Sequence, residues 1–331
     1  MEIQSTLAYY TGKVVQPSLS LFGILKEAYK TSFRNGRLLL FITFIMFSCY
    51  SILDLGSWFI ILPIVEDLEA HVKLLPKNGS FGDADSVAYN KLILNDVRHF
   101  LTYSLVALFF WVLITVLAVT STVYSTFEAY TAKGLSLKDM LLGSVSGKYK
   151  RAFKTSVWIV LISLASAALL YLVFGVILIM AQGPVLSGLN LNWVFFILGG
   201  CYAVYLCSLS MFSLVVSVLE EEKSGLKAII EGNELMKGTK LQEFVLMVVV
   251  ILAAIANSKG FGYLETVTGT ENATLAMVIG VAISFPGTLV FCLLKVFVFV
   301  VFTLFYHECK MNKIAEENRA LYAPIAAVAE F

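Results

Sequence analysis

An all-α, polytopic membrane fold with six transmembrane helices is what this sequence predicts, and three observations predict it. The chain is 59% hydrophobic and 14% charged, against roughly 25% charged residues in an ordinary soluble domain. Six apolar segments, at 38–65, 100–124, 157–181, 193–219, 241–256 and 275–306, stand out from more polar sequence. A bilayer core asks for about 20 apolar residues as a helix, and most of these segments supply them. The third observation is a repeat: a basic amphipathic segment, an apolar hairpin, then a glutamate. The hairpins close at Glu128, Glu220 and Glu308, which are 92 and 88 residues apart.

The chain therefore reads as a single integral membrane domain over 1–331, built as three hairpin repeats. Repeat 1 covers about 19–134 and carries an extra loop at 66–99. Repeats 2 and 3 cover about 135–223 and 224–308, leaving a tail at 309–331. The first 37 residues are polar to amphipathic and lead into an apolar run of full span length. That run is expected to act as an uncleaved insertion signal. The fifth apolar segment is the shortest, and its place in the repeat makes it a span. The sixth contains Pro286, which predicts a kink or an interfacial half-helix leading into the span.

Charge sets the orientation. Eighteen Lys and Arg lie in the segments flanking the spans on one side and five on the other. The positive-inside rule then puts both termini and all three basic segments in the cytosol. Asn78-Gly79-Ser80 and Asn272-Ala273-Thr274 fall on the opposite, exoplasmic side as glycosylation acceptors. The exoplasmic loop 66–99 holds an exposed turn region, KNGSFGDADS. Asp83 and Asp85 within it lack the further ligands and closing Glu of a calcium loop. The expected membrane is the plasma membrane or an endomembrane of the secretory pathway.

In the first basic segment Leu21, Phe22, Leu25, Ala28, Tyr29 and Phe33 recur at helical spacing and predict one apolar face, with Lys26, Lys30 and Arg34 on the other. In the second, Leu137, Met140, Leu141, Val145, Tyr149 and Phe153 form the stripe, with Lys148, Lys150, Arg151 and Lys154 polar. These seven cations are the expected contacts with anionic lipid headgroups, worth about 1 kcal/mol each near a charged surface. The third segment is interrupted by Gly232 and Gly238. VLEEEKSGLKAIIEGNELMKGTK, residues 218–240, resembles the cytosolic stretch of six-span membrane proteins that include the membrane domain attached to some bacterial glycerophosphodiester phosphodiesterases. The span and repeat pattern along nearly the whole chain is similar to plant multi-pass proteins of that group. The resemblance implies a membrane module and carries over no catalytic residue.

Chemistry is sparse. The histidines His71, His99 and His307 sit in no metal-binding or nucleophile-activating motif, and no Gly-rich phosphate loop is present. Five cysteines lie in or beside apolar segments and imply neither disulfides nor a zinc site. No catalytic residue, metal or cofactor is expected, and a net charge of +1 argues against a nucleic-acid partner. Lys295 is the exception, a cation deep in the sixth segment. A charge there is costly unless it has a partner or a cavity. Counted back from the repeat-ending glutamates, Lys295 stands where the other repeats have Thr115 and Cys207. Asp54, late in the first span, is the intramembrane acid that could accompany it, although it lies nearer the exoplasmic end. The sequence reading is thus a non-enzymatic lipid-interacting organiser or scaffold with membrane lipids and cytosolic proteins as partners. Its alternative is a transporter or channel with a polar site near Lys295.

Overall fold

A computed structural model of the chain describes residues 20–73, 83–130, 147–181, 191–238, 240–267 and 273–328. Among the described residues every regular element is helical. Helix α1 (Leu21–Arg34) is followed by α2 (Gly36–Gly56), a π-helical turn (Ser57–Ile61) and α3 (Leu62–Lys73). Then come α4 (Asp83–Tyr130), α5 (Lys148–Ala181), α6 (Leu191–Leu219), α7 (Leu226–Leu235), a 3₁₀ turn (Met236–Gly238), α8 (Lys240–Val267) and α9 (Ala273–Val328). Six stretches are long and apolar enough to cross a membrane: Gly36–Ala70, Lys91–Tyr130, Lys148–Val176, Ile197–Leu219, Leu241–Phe261 and Val278–Ala315. The protein is an integral membrane protein, and the fifth segment reaches full span length by running on to Phe261.

Burial ranks the spans. In its most apolar stretch α9 is 61% buried, whereas α8 is 11% and α5 0% buried. Helix α9 is the axis around which the others pack. On α5, Leu164, Leu169, Tyr171 and Leu172 are all more than half exposed. Such a surface suits lipid, where an outward Leu loses nothing. The densest core lies in the half of the bundle nearer the basic segments, where Phe212, Val215 and Val216 of α6 meet Phe299, Phe302 and Phe305 of α9, each at most 1% exposed. The Phe212 and Phe305 rings meet edge to face with centroids 6.0 Å apart, a preferred aromatic geometry.

Several elements depart from the sequence reading. The polar stretch 66–99 is largely helical, because α3 carries the first span on to Lys73 and α4 begins at Asp83. Apolar residues such as Leu92 and Leu94 are interspersed among the polar ones on the α4 side, and residues 74–82, which hold the start of the KNGSFGDADS turn region, lie outside the described residues. Asn78 and Asn272 lie outside the described residues, as does most of the second basic segment. Pro286 does not interrupt α9, and the tail continues the same helix to Val328. A proline removes one donor and crowds one carbonyl, and here it stands on the exposed side of a helix that continues through it.

Helix α1 also turns a different face inward. Ile24, Ala28 and Thr31 are buried, while Phe22, Tyr29 and Phe33 are 78%, 60% and 70% exposed. The predicted single stripe is two faces. Small and β-branched side chains let α1 approach α9, and the bulky aromatics are left outside. Ser20 caps the helix by accepting a hydrogen bond from the Gly23 amide. At its far end the Asn35 side-chain amide donates to the Ser125 carbonyl at 3.2 Å, tying α1 to α4.

Candidate functional site

Lys295 is 8% exposed and its ammonium is fully engaged. It donates to the Tyr50 hydroxyl at 2.6 Å and to Thr115 Oγ1 at 3.0 Å, while the Tyr50 hydroxyl and Thr115 Oγ1 are themselves 3.2 Å apart. Nζ also stands 4.5 Å from the ring centroid of Trp111, 4.9 Å from Tyr50 and 5.5 Å from Phe291. Three helices build this nest: α2 gives Tyr50, α4 gives Thr115 and Trp111, and α9 gives Phe291 and Lys295. The hydroxyls satisfy two donors and the ring faces supply negative potential to the remainder of the ammonium. Thr115, the positional counterpart of Lys295 in the repeat alignment, is its direct partner in space.

Tyr50, Trp111 and Phe291 have a second role. They floor a cleft of about 1040 Å³ between α2 and α4 on one side and α8 and α9 on the other. Its upper walls carry Asp54, Ser57, Ser104, Asn257, Ser258 and Thr288 among apolar side chains such as Leu108, Ile255 and Phe261. The cleft is the size of an ordinary small-molecule site. Among the described residues Asp54 is the one carboxylic acid in its lining, and none is Lys, Arg or His. Oδ2 of Asp54 accepts a hydrogen bond from Thr288 Oγ1 at 2.6 Å, across from α2 to α9. Asp54 and Lys295 thus belong to one site without pairing: the carboxylate faces the cleft and the ammonium lies beneath its aromatic floor.

Local backbone features shape the walls. The π-helical turn Ser57–Ile61 directly follows Gly56, and both of its ends, Ser57 and Ile61, line the cleft. Such turns re-aim side chains within a helix and recur beside functional sites. At Gly56 a Cβ would lie 2.7 Å from the Tyr103 hydroxyl, so α2 and α4 meet here at glycine distance. On the other wall the Asn257 side-chain amide donates to the Gly287 carbonyl at 3.2 Å, one residue after Pro286.

The opposite end of the bundle is tied by charge. Tyr306 donates to Glu220 Oε1 at 2.6 Å and Lys310 donates to the same oxygen at 3.0 Å. Lys313 donates to Glu231 Oε1 at 3.2 Å, and Lys223 bonds the other oxygen of Glu231. The hydrogen bond from Lys223 holds the Glu231 carboxyl below its usual range, and the same bond holds the Lys223 ammonium above its own. Gly225, at φ 63°, enters α7 in the left-handed region, and its amide donates to Thr155 Oγ1 at 2.9 Å. This clamp joins α6, α7 and α9.

The expected headgroup cations divide. Lys26, Lys30, Arg34, Lys150 and Lys154 are exposed. Lys148 lies 3.6 Å from the Tyr124 ring centroid, and Arg151 turns inward to donate from Nε to the Ser217 carbonyl at 3.3 Å. Their position where α5 enters the bundle sets both contacts. The chain belongs to the family described as Domain of unknown function (DUF8558), which it matches over residues 15–320. No curated protein and no solved structure matches it.

Proposed function

We propose that this protein is a non-enzymatic, multi-pass membrane protein of the transporter type, whose ligand is a small amphipathic molecule bearing a positive charge. The cleft carries the reading. It combines one carboxylate, several hydroxyl and amide groups and an aromatic floor, with no cation in its lining. A cationic head meets Asp54, and an apolar body lies against Leu108, Ile255 and Phe261. Charge-assisted hydrogen bonds to a carboxylate are about twice as strong as neutral ones, so the acid sets selectivity and the apolar walls add affinity. Lys295 holds the floor by fixing Tyr50 and Trp111. By the charge count, the cleft lies in the exoplasmic half and the clamp at the cytosolic surface, an arrangement open to one side only.

The test is equilibrium binding to the full-length protein in phosphatidylcholine nanodiscs, using phenethylamine and its quaternary ammonium analogue against uncharged isosteres of the same shape. Saturable binding of the cations alone is expected, and equal binding of the neutral isosteres would sink the reading.

A second reading rests on a different surface. On α1 the exposed Phe22, Tyr29 and Phe33 lie beside exposed Lys26, Lys30 and Arg34, and the Tyr29 and Phe33 rings meet at a tilt of 48° with centroids 4.5 Å apart. Aromatics next to cations suit a headgroup boundary. In this reading α1 is a cytosolic interfacial helix, the first of three that begin the hairpin repeats, and the protein organises anionic lipid. Co-flotation with phosphatidylserine vesicles that weakens with salt, and that is lost when Lys26, Lys30 and Arg34 are changed together to Gln, is the expected result. Binding that ignores lipid charge removes it.

A further inference from the structure

Among the described residues Glu243 is the largest polar side chain to be wholly buried, at 0% exposure. Both of its carboxyl oxygens are enclosed and neither has a hydrogen-bond partner. It stands one turn into α8, where that helix leaves the 3₁₀ turn and packs between α6 and α9. Nothing in the clamp or the cleft uses it.

The surroundings explain what state such a group can hold. Helix α6 carries no Asp, Glu, Lys or Arg along Leu191–Leu219, and its titratable groups are Cys201, Tyr202, Tyr205 and Cys207. On α9, Lys295 is taken by Tyr50 and Thr115, and Tyr306, Lys310 and Lys313 by the clamp glutamates. His307, Glu308 and Cys309 follow Tyr306 on the same helix, and each has contacts of its own. In the 3₁₀ turn Lys237 is exposed; on α8 itself Lys240 opens the helix one turn before Glu243, with a side chain outside the described residues, and Lys259 is four turns away. Among the described residues no cation pairs with Glu243, and neither carboxyl oxygen accepts a hydrogen bond. An ionised carboxylate without partner or water is the costliest group a protein can bury, and such a group takes up a proton instead.

We propose that Glu243 is a proton-binding site: it is held as the neutral acid while α8 is packed on α6 and α9, and it releases its proton to water when the first turns of α8 part from them. The balance is simple, since one O–H bond breaks, the proton passes to water and the carboxylate keeps the electron pair. By linkage, whatever opens this seam releases a proton, and a rise in pH favours the open form. The proposal stands whether or not the cleft binds an amine, because it rests on a different part of the bundle.

The test uses the full-length protein in phosphatidylcholine nanodiscs with ¹³C-carboxyl glutamate, read by infrared difference spectroscopy and by hydrogen exchange of the α8 start. At neutral pH a protonated-glutamate carbonyl band is expected, absent from E243Q. Raising the pH should remove the band and raise exchange at the start of α8 by about tenfold over its intrinsic increase, a step that E243Q lacks because the amide cannot ionise. A wild-type spectrum with no protonated-glutamate band at neutral pH overturns the proposal, and this arm needs no variant to fold. So does an E243Q protein that keeps either the band or the exchange step.

Discussion

The two ends of this bundle solve opposite problems with the same helices. At the basic end α6, α7 and α9 are drawn together by Glu220, Glu231, Tyr306, Lys310 and Lys313, above a core of phenylalanines at most 1% exposed. At the other end α2 and α4 stand apart from α8 and leave a cleft of about 1040 Å³. Aromatic side chains serve both ends. Below they interdigitate and exclude everything, and above they form a floor that a ligand can touch. The difference teaches that closure here is a matter of which polar groups find partners. Where acids meet lysines the bundle seals, and where Asp54 meets the Thr288 hydroxyl, with no cation beside it among the described residues, it stays open.

This contrast can be broken most severely in the core. Phe302→Ala is expected to cost about 3–5 kcal/mol, the range for a fully buried aromatic, whereas Phe261→Ala on the cleft wall should cost under about 1 kcal/mol. Thermal unfolding of both variants in the same detergent measures the gap, and equal losses would mean that the upper half is packed as tightly as the lower. Next in size, Asp54→Asn keeps the bond from Thr288 but removes the charge. A loss of about 2 kcal/mol in amine affinity, roughly thirtyfold, is expected from a charge-assisted bond. Unchanged affinity would take Asp54 out of the site.

Lys295→Met sharpens the comparison differently. The Tyr50 and Thr115 hydroxyls are left to each other, so folding should survive with a loss of about 1–2 kcal/mol, while the floor loosens and amine affinity falls by roughly tenfold. Intact affinity would assign Lys295 to structure alone. The smallest effect belongs to the clamp. The carboxyl of Glu231 is held below its usual range, so its share of stability is present above the unfolded-state value and is lost as pH falls through the folded one. Lys223 is held above its usual range, so its share is present below the unfolded-state value and is lost as pH rises through the folded one. The clamp's share of stability should therefore be flat between the ordinary glutamate and lysine ranges and fall on both sides, and it is read in the E243Q protein, which lacks the loss with rising pH that a buried neutral Glu243 adds. Lys313→Ala should cost under about 1 kcal/mol at neutral pH, given the exposure of the pair. A stability optimum displaced out of that window would show that other groups dominate.

Much of the fold was legible because bilayer thickness constrains the sequence directly: apolar length gives the spans, and a lone lysine in an apolar run stands out against them. Lys295 was visible for that reason, and so was the departure of its repeat from Thr115. The cage around it was not, since Tyr50, Trp111 and Phe291 are ordinary span residues until α2, α4 and α9 are placed together. Glu243 was hidden by its position near the start of an apolar segment, where a carboxylate normally reaches water. The inward face of α1 was legible in part, through Leu21, Leu25 and Ala28, while Phe22, Tyr29 and Phe33 were placed with them because hydrophobicity ranks large aromatics first, and Ile24 and Thr31 were passed over although close helix contact selects them. Of the clamp glutamates Glu220 was seen as the marker of a repeat and Glu231 was not singled out, and their lysine partners lie 90 and 82 residues away.

Helix α9 runs 56 residues, about 84 Å at 1.5 Å per residue, and it belongs to both ends at once. Thr288 and Phe291 are cleft wall and floor, and Lys310 and Lys313 are clamp. A stiff rod fixed at two points turns a local event into a shared one: if an occupied cleft rotates α9, the torque arrives at Glu220 and Glu231, and acid that weakens the clamp reports back to the cleft by the same free energy.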